Sequence, residues 1–479
     1  MRVRCAVAAA LCAAVSAGPA FAQPMAASGA VLPGDFNSDG YPDAVIGAAD
    51  GTVNGVAGAG YMTTLNGSSR GLTTSGGKLL SRANLPGDPL PAERFGSGLG
   101  SSGDLNDDGY ADQVVIAQGS PHMMIVWGGK SGLSGGTRVR GIHPLMVRVA
   151  KSDVGDINGD GHADIVVEGG FADRAGQGAG LALLYGPFNR TNGYPASSAF
   201  HPTQKKDGIL PGQVTMGDVN HDGKADVVVQ GMTVTADGAA SKQTVALFLG
   251  SKDGLAYAGQ PFGEVYVGDI AIGDLNRDGY GDFVGGMSGT DGVPGGLGGT
   301  VAVAFGGPQG MSTTLKPRQI TQDTPGVPGT GEESDAFGRS VAVGDTDGDG
   351  YADLAIGVSG ETGTDTTATK RAGAVTILRG SASGVTTVGA RNFTQDSAGV
   401  PDTSQPWDHF GAVVSLIDGN SDGKADLVVG AWHDNNYAGR AWVLPAAPGG
   451  ITGTGSISFT GTTFGAPGGR AFYGAAVSD

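Results

Sequence analysis

The 479-residue chain has two cysteines, and both, Cys5 and Cys12, lie within its first 22 residues. The remainder can form no disulfide, so a disulfide-stapled scaffold is excluded there. No apolar run reaches the ~20 residues that a membrane-crossing helix needs. No segment shows a sustained 3.6-residue apolar period, which argues against a helical protein. Cations are few: 29 Lys and Arg stand against 46 Asp and Glu, for a formal net charge of −17. Without a basic stripe, nucleic acid is excluded as a partner. The seven histidines have no zinc spacing. Glutamate is scarce, and no paired carboxylates stand out as a catalytic acid and base.

Residues 1–22 read as a secretory signal peptide. Arg2 and Arg4 form its basic start, Ala6 to Val15 its apolar run, and Ala20-Phe21-Ala22 its small-x-small cleavage site. Leu11 before Cys12 is not the small residue of a lipoprotein signal. The expectation is a secreted, extracellular protein with residues 23–479 forming one domain. A secreted chain without disulfides needs another staple.

One nine-residue pattern supplies it, seven times over. Its oxygen-bearing positions 1, 3, 5, 7 and 9 are Asp35, Asn37, Asp39, Tyr41 and Asp43 in the first copy. They are Asp104, Asn106, Asp108, Tyr110 and Asp112 in the second, and Asp156, Asn158, Asp160, His162 and Asp164 in the third. The fourth has Asp218, Asn220, Asp222, Lys224 and Asp226; the fifth has Asp274, Asn276, Asp278, Tyr280 and Asp282. The sixth has Asp345, Asp347, Asp349, Tyr351 and Asp353; the seventh has Asp418, Asn420, Asp422, Lys424 and Asp426. Ca²⁺ takes six to eight oxygens from a flexible loop. Side chains at 1, 3 and 5, a backbone carbonyl at the variable position 7 and a carboxylate at 9 provide them, and Gly at 6 permits the turn. A helical Ca²⁺ loop requires Glu at position 12, where this chain has apolar residues or Gly. The residues that follow, such as AVIGA and LAIGV, read as buried strands. The alternative is an Asx-rich turn without metal. Up to seven structural Ca²⁺ sites are expected, and they would neutralise nearly half of the acidic side chains.

The loops recur at spacings of 69, 52, 62, 56, 71 and 73 residues, which leaves no room for a second domain. Each repeat reads as a short apolar strand, the Asp loop, a second strand, a variable connection, a strongly alternating third strand and an edge strand. GAVTILRG (373–380) and GARNFTQ (389–395) exemplify the last two. Four short strands in ~60 residues, repeated seven times, predict an all-β, seven-bladed β-propeller of four-stranded antiparallel blades. The matches to catalytic motifs do not survive context. Gly67 to Gly71 (GSSRG) sits in a recurrent turn rather than a nucleophile elbow, and Gly98 to Gly103 leads into an Asp loop rather than a helix.

Phe95-Gly96, Phe337-Gly338 and Phe410-Gly411 open the first strand of three repeats, and Gly47-Ala48 and Gly430-Ala431 close the second strand of two. With the Asp loop, these residues make residues 28–479 resemble the FG-GAP repeat family, whose repeats form the integrin α-subunit propeller and many secreted bacterial proteins. Repeats starting near residues 28, 146, 210 and 264 lack the FG pair, and Gly285-Gly286 replaces Gly-Ala in the fifth. Ala471 to Asp479 resembles the start of a further repeat, with Tyr473-Gly474 as its FG. It is either the closing strand of the first blade or a truncated eighth repeat.

The resemblance implies a calcium-binding, non-catalytic binding or adhesion module, probing extracellular protein or glycan ligands with loops on the face away from the Asp loops. A monomer is expected. The alternative is an extracellular polysaccharide lyase or hydrolase on a Ca²⁺-stabilised propeller. On that face Trp407, His409, Trp432, His433 and Tyr437 are the candidate ligand-binding residues, with packing between blades as the alternative role. Glu332-Glu333-Ser334-Asp335 reads as a solvated acidic loop.

Overall fold

The computed structural model describes residues 31–478, except 121–122, 143–145, 172–177, 236–238, 290–296 and 364–369. The expected leader, residues 1–22, lies outside the described residues. Seven four-stranded antiparallel sheets form a β-propeller, each a meander from an inner to an outer edge strand. The sixth blade shows the plan: Phe337–Gly344, Asp353–Val358, Ala374–Arg379 and Thr386–Phe393. The seventh blade adds a two-stranded hairpin, Ala446–Ala447 with Gly450–Ile451. No helix among the described residues is long and apolar enough to cross a membrane.

The second strands read as continuous apolar runs because both of their faces are buried between blades. In the fourth blade Val227 and Val229 face the third blade, and Val228 faces the fifth. Strand periodicity sends alternate side chains to opposite faces. Seven buried hydrophobic clusters result, one per junction between consecutive blades. The last joins the seventh blade to the first through Val428, Val443 and Phe459 against Ile46, Tyr61 and Tyr473.

The ring closes because Tyr473–Val477 is the inner strand of the first blade. It pairs antiparallel with Ala44–Ala48, with Ile46 opposite Val477 and Ala48 opposite Tyr473. Tyr473 is fully buried, and its hydroxyl is 2.6 Å from the Thr63 hydroxyl.

Geometry explains the two sequence pairs as one contact. The FG glycines Gly96, Gly338, Gly411 and Gly474 all have φ between +81° and +85°. A Cβ on Gly357 would lie 2.0 Å from the Gly411 carbonyl oxygen, and a Cβ on Gly430 would lie 2.1 Å from that of Gly474. Gly47 meets Gly96, and Gly286 meets Gly338, in the same way. The glycine of one blade's second strand thus accommodates the FG backbone of the next blade. The fifth blade's Gly286 therefore serves the sixth blade's Phe337-Gly338. Where the next blade lacks FG, the corresponding residues are Ile116, Glu168 and Gln230. Gly357→Ala is expected to wedge the sixth and seventh blades apart and cost about 1–3 kcal/mol, read as a lower urea midpoint.

Position 2 of the Asp loop is a core position that the sequence pattern did not reveal. Phe36, Leu105, Ile157, Val219 and Leu275 are at most 1% exposed, and each inserts into the junction with the following blade. The seventh loop has Gly419 there, and Leu72 of the first blade fills the space, 2.7 Å from where a Cβ would sit.

Asp335 corrects the reading of residues 332–335 as a solvated loop. It is 2% exposed, and its carboxylate accepts the Glu332 N–H at 2.6 Å. Asp408 accepts the Gln405 N–H at 2.9 Å in the equivalent place. Acid-x-Phe-Gly, seen as Glu93, Asp335 and Asp408 two residues before the FG aromatic, is a sequence signal for this buried turn staple.

Candidate functional site

All seven Asp loops share one hydrogen-bond scheme. The position-1 carboxylate accepts the N–H of the position-6 glycine at 2.8–2.9 Å. The position-3 oxygen accepts the position-5 N–H at 2.8–3.1 Å. The position-5 carboxylate accepts the position-7 N–H. These Asx turns wind each loop tightly around its position-1 and position-3 oxygens.

The ninth-position aspartate does something different. One of its oxygens accepts an N–H from the turn after the third strand, as Asp112 does from Gly128 at 2.8 Å and Asp282 from Gly306 at 3.0 Å. In six loops the other oxygen accepts the position-2 N–H. Burial pushes these carboxyls up, against the pull of those N–H donors: to about 8 at Asp112 and Asp282, about 7 at Asp43, Asp164 and Asp226, and about 6 at Asp353 and Asp426. Asp112→Ala would strand two buried N–H groups, and about 2–4 kcal/mol of stability is expected to go with them, measured by chemical denaturation.

Neighbouring loops also interlock. The position-1 carbonyls of Asp156 and Asp345 accept the Ala225 and Ala425 N–H of the next loop at 2.7 Å. The Ser421 hydroxyl donates to the Gly40 carbonyl at 2.6 Å across the ring closure. Lys224 and Lys424 pair with Asp222 and Asp422, and His162 meets Asp107 of the preceding loop at 2.9 Å.

The donor set suits a hard cation, being all oxygen. In the sixth loop Asp345, Asp347 and Asp353 each offer a carboxylate oxygen, and these lie within 4.8 Å of one another. This loop carries an acid at position 3 where the others have Asn, and Arg379 pairs with it.

At the opposite ends of the strands, the structure brings all five candidate ligand residues together. Trp432 and His433 follow the second strand of the seventh blade, Asp426–Ala431, whose other end is the Asp loop. The His409 ring lies parallel to Trp432 at 6.5 Å and edge-on to His433 at 4.6 Å. Trp432 and His433 are 3.7 Å apart, Tyr437 lies 4.4 Å from His433, and Trp407 lies 6.2 Å from His409. Phe472, which the sequence reading did not single out, bridges Trp432 and Tyr437 at 5.4 and 5.5 Å.

Cations frame this array. Lys370 and Arg371 lie 5.4 and 5.0 Å from the Trp407 ring, and Arg470 lies 4.2 Å from Tyr437. Trp407 is 45% exposed. Burial, with His409 and Arg470 nearby, pushes His433 down to about 4, and burial lowers His409 as well. Asn435, Asn436 and Tyr437 have consecutive φ values of 51°, 58° and 69°. That left-handed turn is one that side-chain-bearing residues adopt at a cost of ~1–2 kcal/mol each.

Residues 337–378 match the FG-GAP repeat family and residues 104–167 match the FG-GAP-like repeat. The chain is an FG-GAP repeat propeller. No curated protein matched it. The matched segments of this FG-GAP propeller are the sixth blade, where FG, Asp loop and strand glycine coincide, and the span from the second blade's Asp loop into the third blade.

Proposed function

We propose that this FG-GAP propeller is a secreted, calcium-stabilised, non-catalytic binding module that takes an extracellular glycan or protein on the Trp407–Tyr437 face. The observation that carries the reading is the convergence of an exposed Trp407, the His409, Trp432, His433 and Tyr437 rings, and three cations on one surface. Aromatic rings offer flat apolar contact at low entropic cost, and the cations supply direction. Secretion rests on the sequence of residues 1–22. The calcium reading rests on the all-oxygen set at positions 1, 3, 5, 7 and 9, and bound Ca²⁺ would add charge neutralisation and a cross-link within each loop. The non-catalytic reading is favoured by the buried acids of the Asp loops, whose oxygens are taken up by backbone N–H groups.

The test is an array of glycans and extracellular-matrix proteins, probed with wild type and Trp407→Ala. A binder is expected whose affinity falls about 30-fold on that substitution, equal to ~2 kcal/mol. Binding that Trp407→Ala leaves unchanged would place the ligand elsewhere. Incubation with polyanionic and neutral glycans is expected to give no cleavage products, and products would reverse the non-catalytic reading.

A further inference from the structure

The two ends of the ring array on the ligand face are built alike. At the end toward the sixth blade, the loop entering the seventh blade is zipped to the sixth blade's connection. The Trp407 N–H donates to the Lys370 carbonyl at 2.8 Å, the His409 N–H to the Arg371 carbonyl at 3.3 Å and the Phe410 N–H to the Ala372 carbonyl at 2.7 Å. At the end toward the first blade, the Ala471 and Phe472 N–H groups both donate to the Tyr437 carbonyl at 3.0 Å. Backbone bonds thus hold Lys370 and Arg371 against the Trp407 ring, and Arg470 against the Tyr437 ring. His409 and His433 link the two ends through ring contacts.

These cations have no acid of their own. Among the described residues no carboxylate forms an ion pair with Lys370, Arg371 or Arg470, and none of the three side chains donates a hydrogen bond. By contrast, the Arg440 guanidinium of the seventh blade is taken up by Asp402 and Asp434, at 3.0 and 3.4 Å. The acids near the array are buried and engaged. Asp408 accepts the Gln405 N–H, Asp434 pairs with Arg440, and Asp335, which feels the Arg371 charge, accepts the Glu332 N–H. Lys370 and Arg470 are exposed. Positive charge therefore stands at both ends of the array in a chain of net charge −17. In physiological salt, exposed charges more than ~8 Å apart are largely screened, so a ligand here meets these local cations rather than the whole chain.

The middle of the array is neutral. Burial lowers His409, with Arg371 and Arg339 adding to it, and burial with His409 and Arg470 nearby holds His433 at about 4. His409 donates its Nδ1–H to the Ser359 carbonyl at 2.7 Å, which makes Nε2 its acceptor. A neutral imidazole acceptor among aromatic rings suits a sugar hydroxyl, and the exposed Trp407 ring suits the apolar face of a pyranose.

We propose, resting on the reading of this face as the binding surface, that its ligand is an acidic glycan. Its carboxylate or sulfate groups meet Lys370 and Arg371 at one end and Arg470 at the other. Guanidinium groups match such oxyanions through paired N–H donors, and the rings hold the sugar between them.

The test uses polymers matched except for charge: polygalacturonate against its methyl ester, and dextran sulfate against dextran. Poly-L-glutamate supplies carboxylates without sugar. Full-length protein is loaded with calcium and freed of excess ion, because uronate carboxylates are themselves calcium ligands. Affinities are read by isothermal titration, and melting curves confirm that each variant is folded. The acidic member of at least one pair is expected to bind about a hundredfold tighter than its neutral partner, and Arg371→Gln and Arg470→Gln are each expected to weaken it about tenfold. Which pair responds separates carboxylate from sulfate. Neutral polymers bound as tightly as acidic ones, and lost on Trp407→Ala, would overturn the acidic ligand and keep the binding face. Acidic binding that neither arginine variant weakens would overturn the proposal, and if Trp407→Ala also leaves it unchanged the face reading falls with it. Poly-L-glutamate bound as tightly as the acidic polysaccharide, or no binding of any polymer, would overturn the proposal too, and the glycan and matrix-protein array then decides the face separately. Should one arginine variant fail to fold, the other decides.

Discussion

Deletion of residues 471–479 is expected to abolish the cooperative unfolding transition of this propeller. The lost segment contains the inner strand of the first blade, whose Tyr473 is fully buried against Tyr61 and Phe459, 6.5 and 6.2 Å away. Without it, Ala44–Ala48 exposes an unpaired strand edge toward the ring centre, and Gly430 loses the Gly474 backbone it accommodates. An open strand edge is a template for aggregation, so the truncated chain is expected in the insoluble fraction. Point variants grade the effect. Tyr473→Ala should cost about 3–5 kcal/mol through the cavity it leaves. Tyr473→Phe should cost only ~1 kcal/mol, since it removes one hydrogen bond to Thr63 and keeps the ring. Size-exclusion chromatography and urea denaturation separate these outcomes. A soluble, monomeric truncation with an unchanged midpoint would mean that the ring does not depend on this strand.

Calcium removal is the second large effect. A ligand that binds only the native state at a hundredfold excess over its Kd stabilises by about 2.7 kcal/mol per site. Seven loops of one hydrogen-bond scheme are candidates, so chelation is expected to lower Tm by about 10 °C or more. Adding CaCl₂ back should restore it. Asp349→Ala should lower the Tm in calcium while leaving the Tm in chelator nearly unchanged. The Asx turns of the remaining loops hold without metal through their own N–H donors, so the chelated protein should remain folded at room temperature. Identical melting curves with and without chelator would refute the calcium reading. Ionic strength must be matched, because the net charge of −17 makes the apo protein sensitive to screening.

Much of the architecture was written locally. Asp at 1, Asn or Asp at 3, Asp at 5 and Gly at 6 specify a turn through contacts between residues at most five apart. Strand alternation and spacing then set four strands per unit and seven units per ring. The sites were legible unevenly. The Asp loops stood out because all their ligand positions are adjacent in sequence. Phe472 did not, because it reaches the Trp432 and Tyr437 rings from the last connection of the chain, which closes the ring.

By itself the sequence determined the loop, the strand period and the number of blades, since each depends on neighbouring residues and repeats visibly. Only the tertiary structure decided what those repeats do to one another. The FG pair and the strand glycine, which read as marks of one repeat, are two halves of a contact between consecutive blades. Gly357 must lack a side chain because Gly411, 54 residues later, brings its carbonyl there. The first blade obtains its FG from Tyr473-Gly474 at the far end of the chain, and Gly419 is balanced by Leu72. Van der Waals exclusion and burial act between atoms adjacent in space. In a closed ring those atoms belong to consecutive repeats, and at one junction to the two ends of the chain.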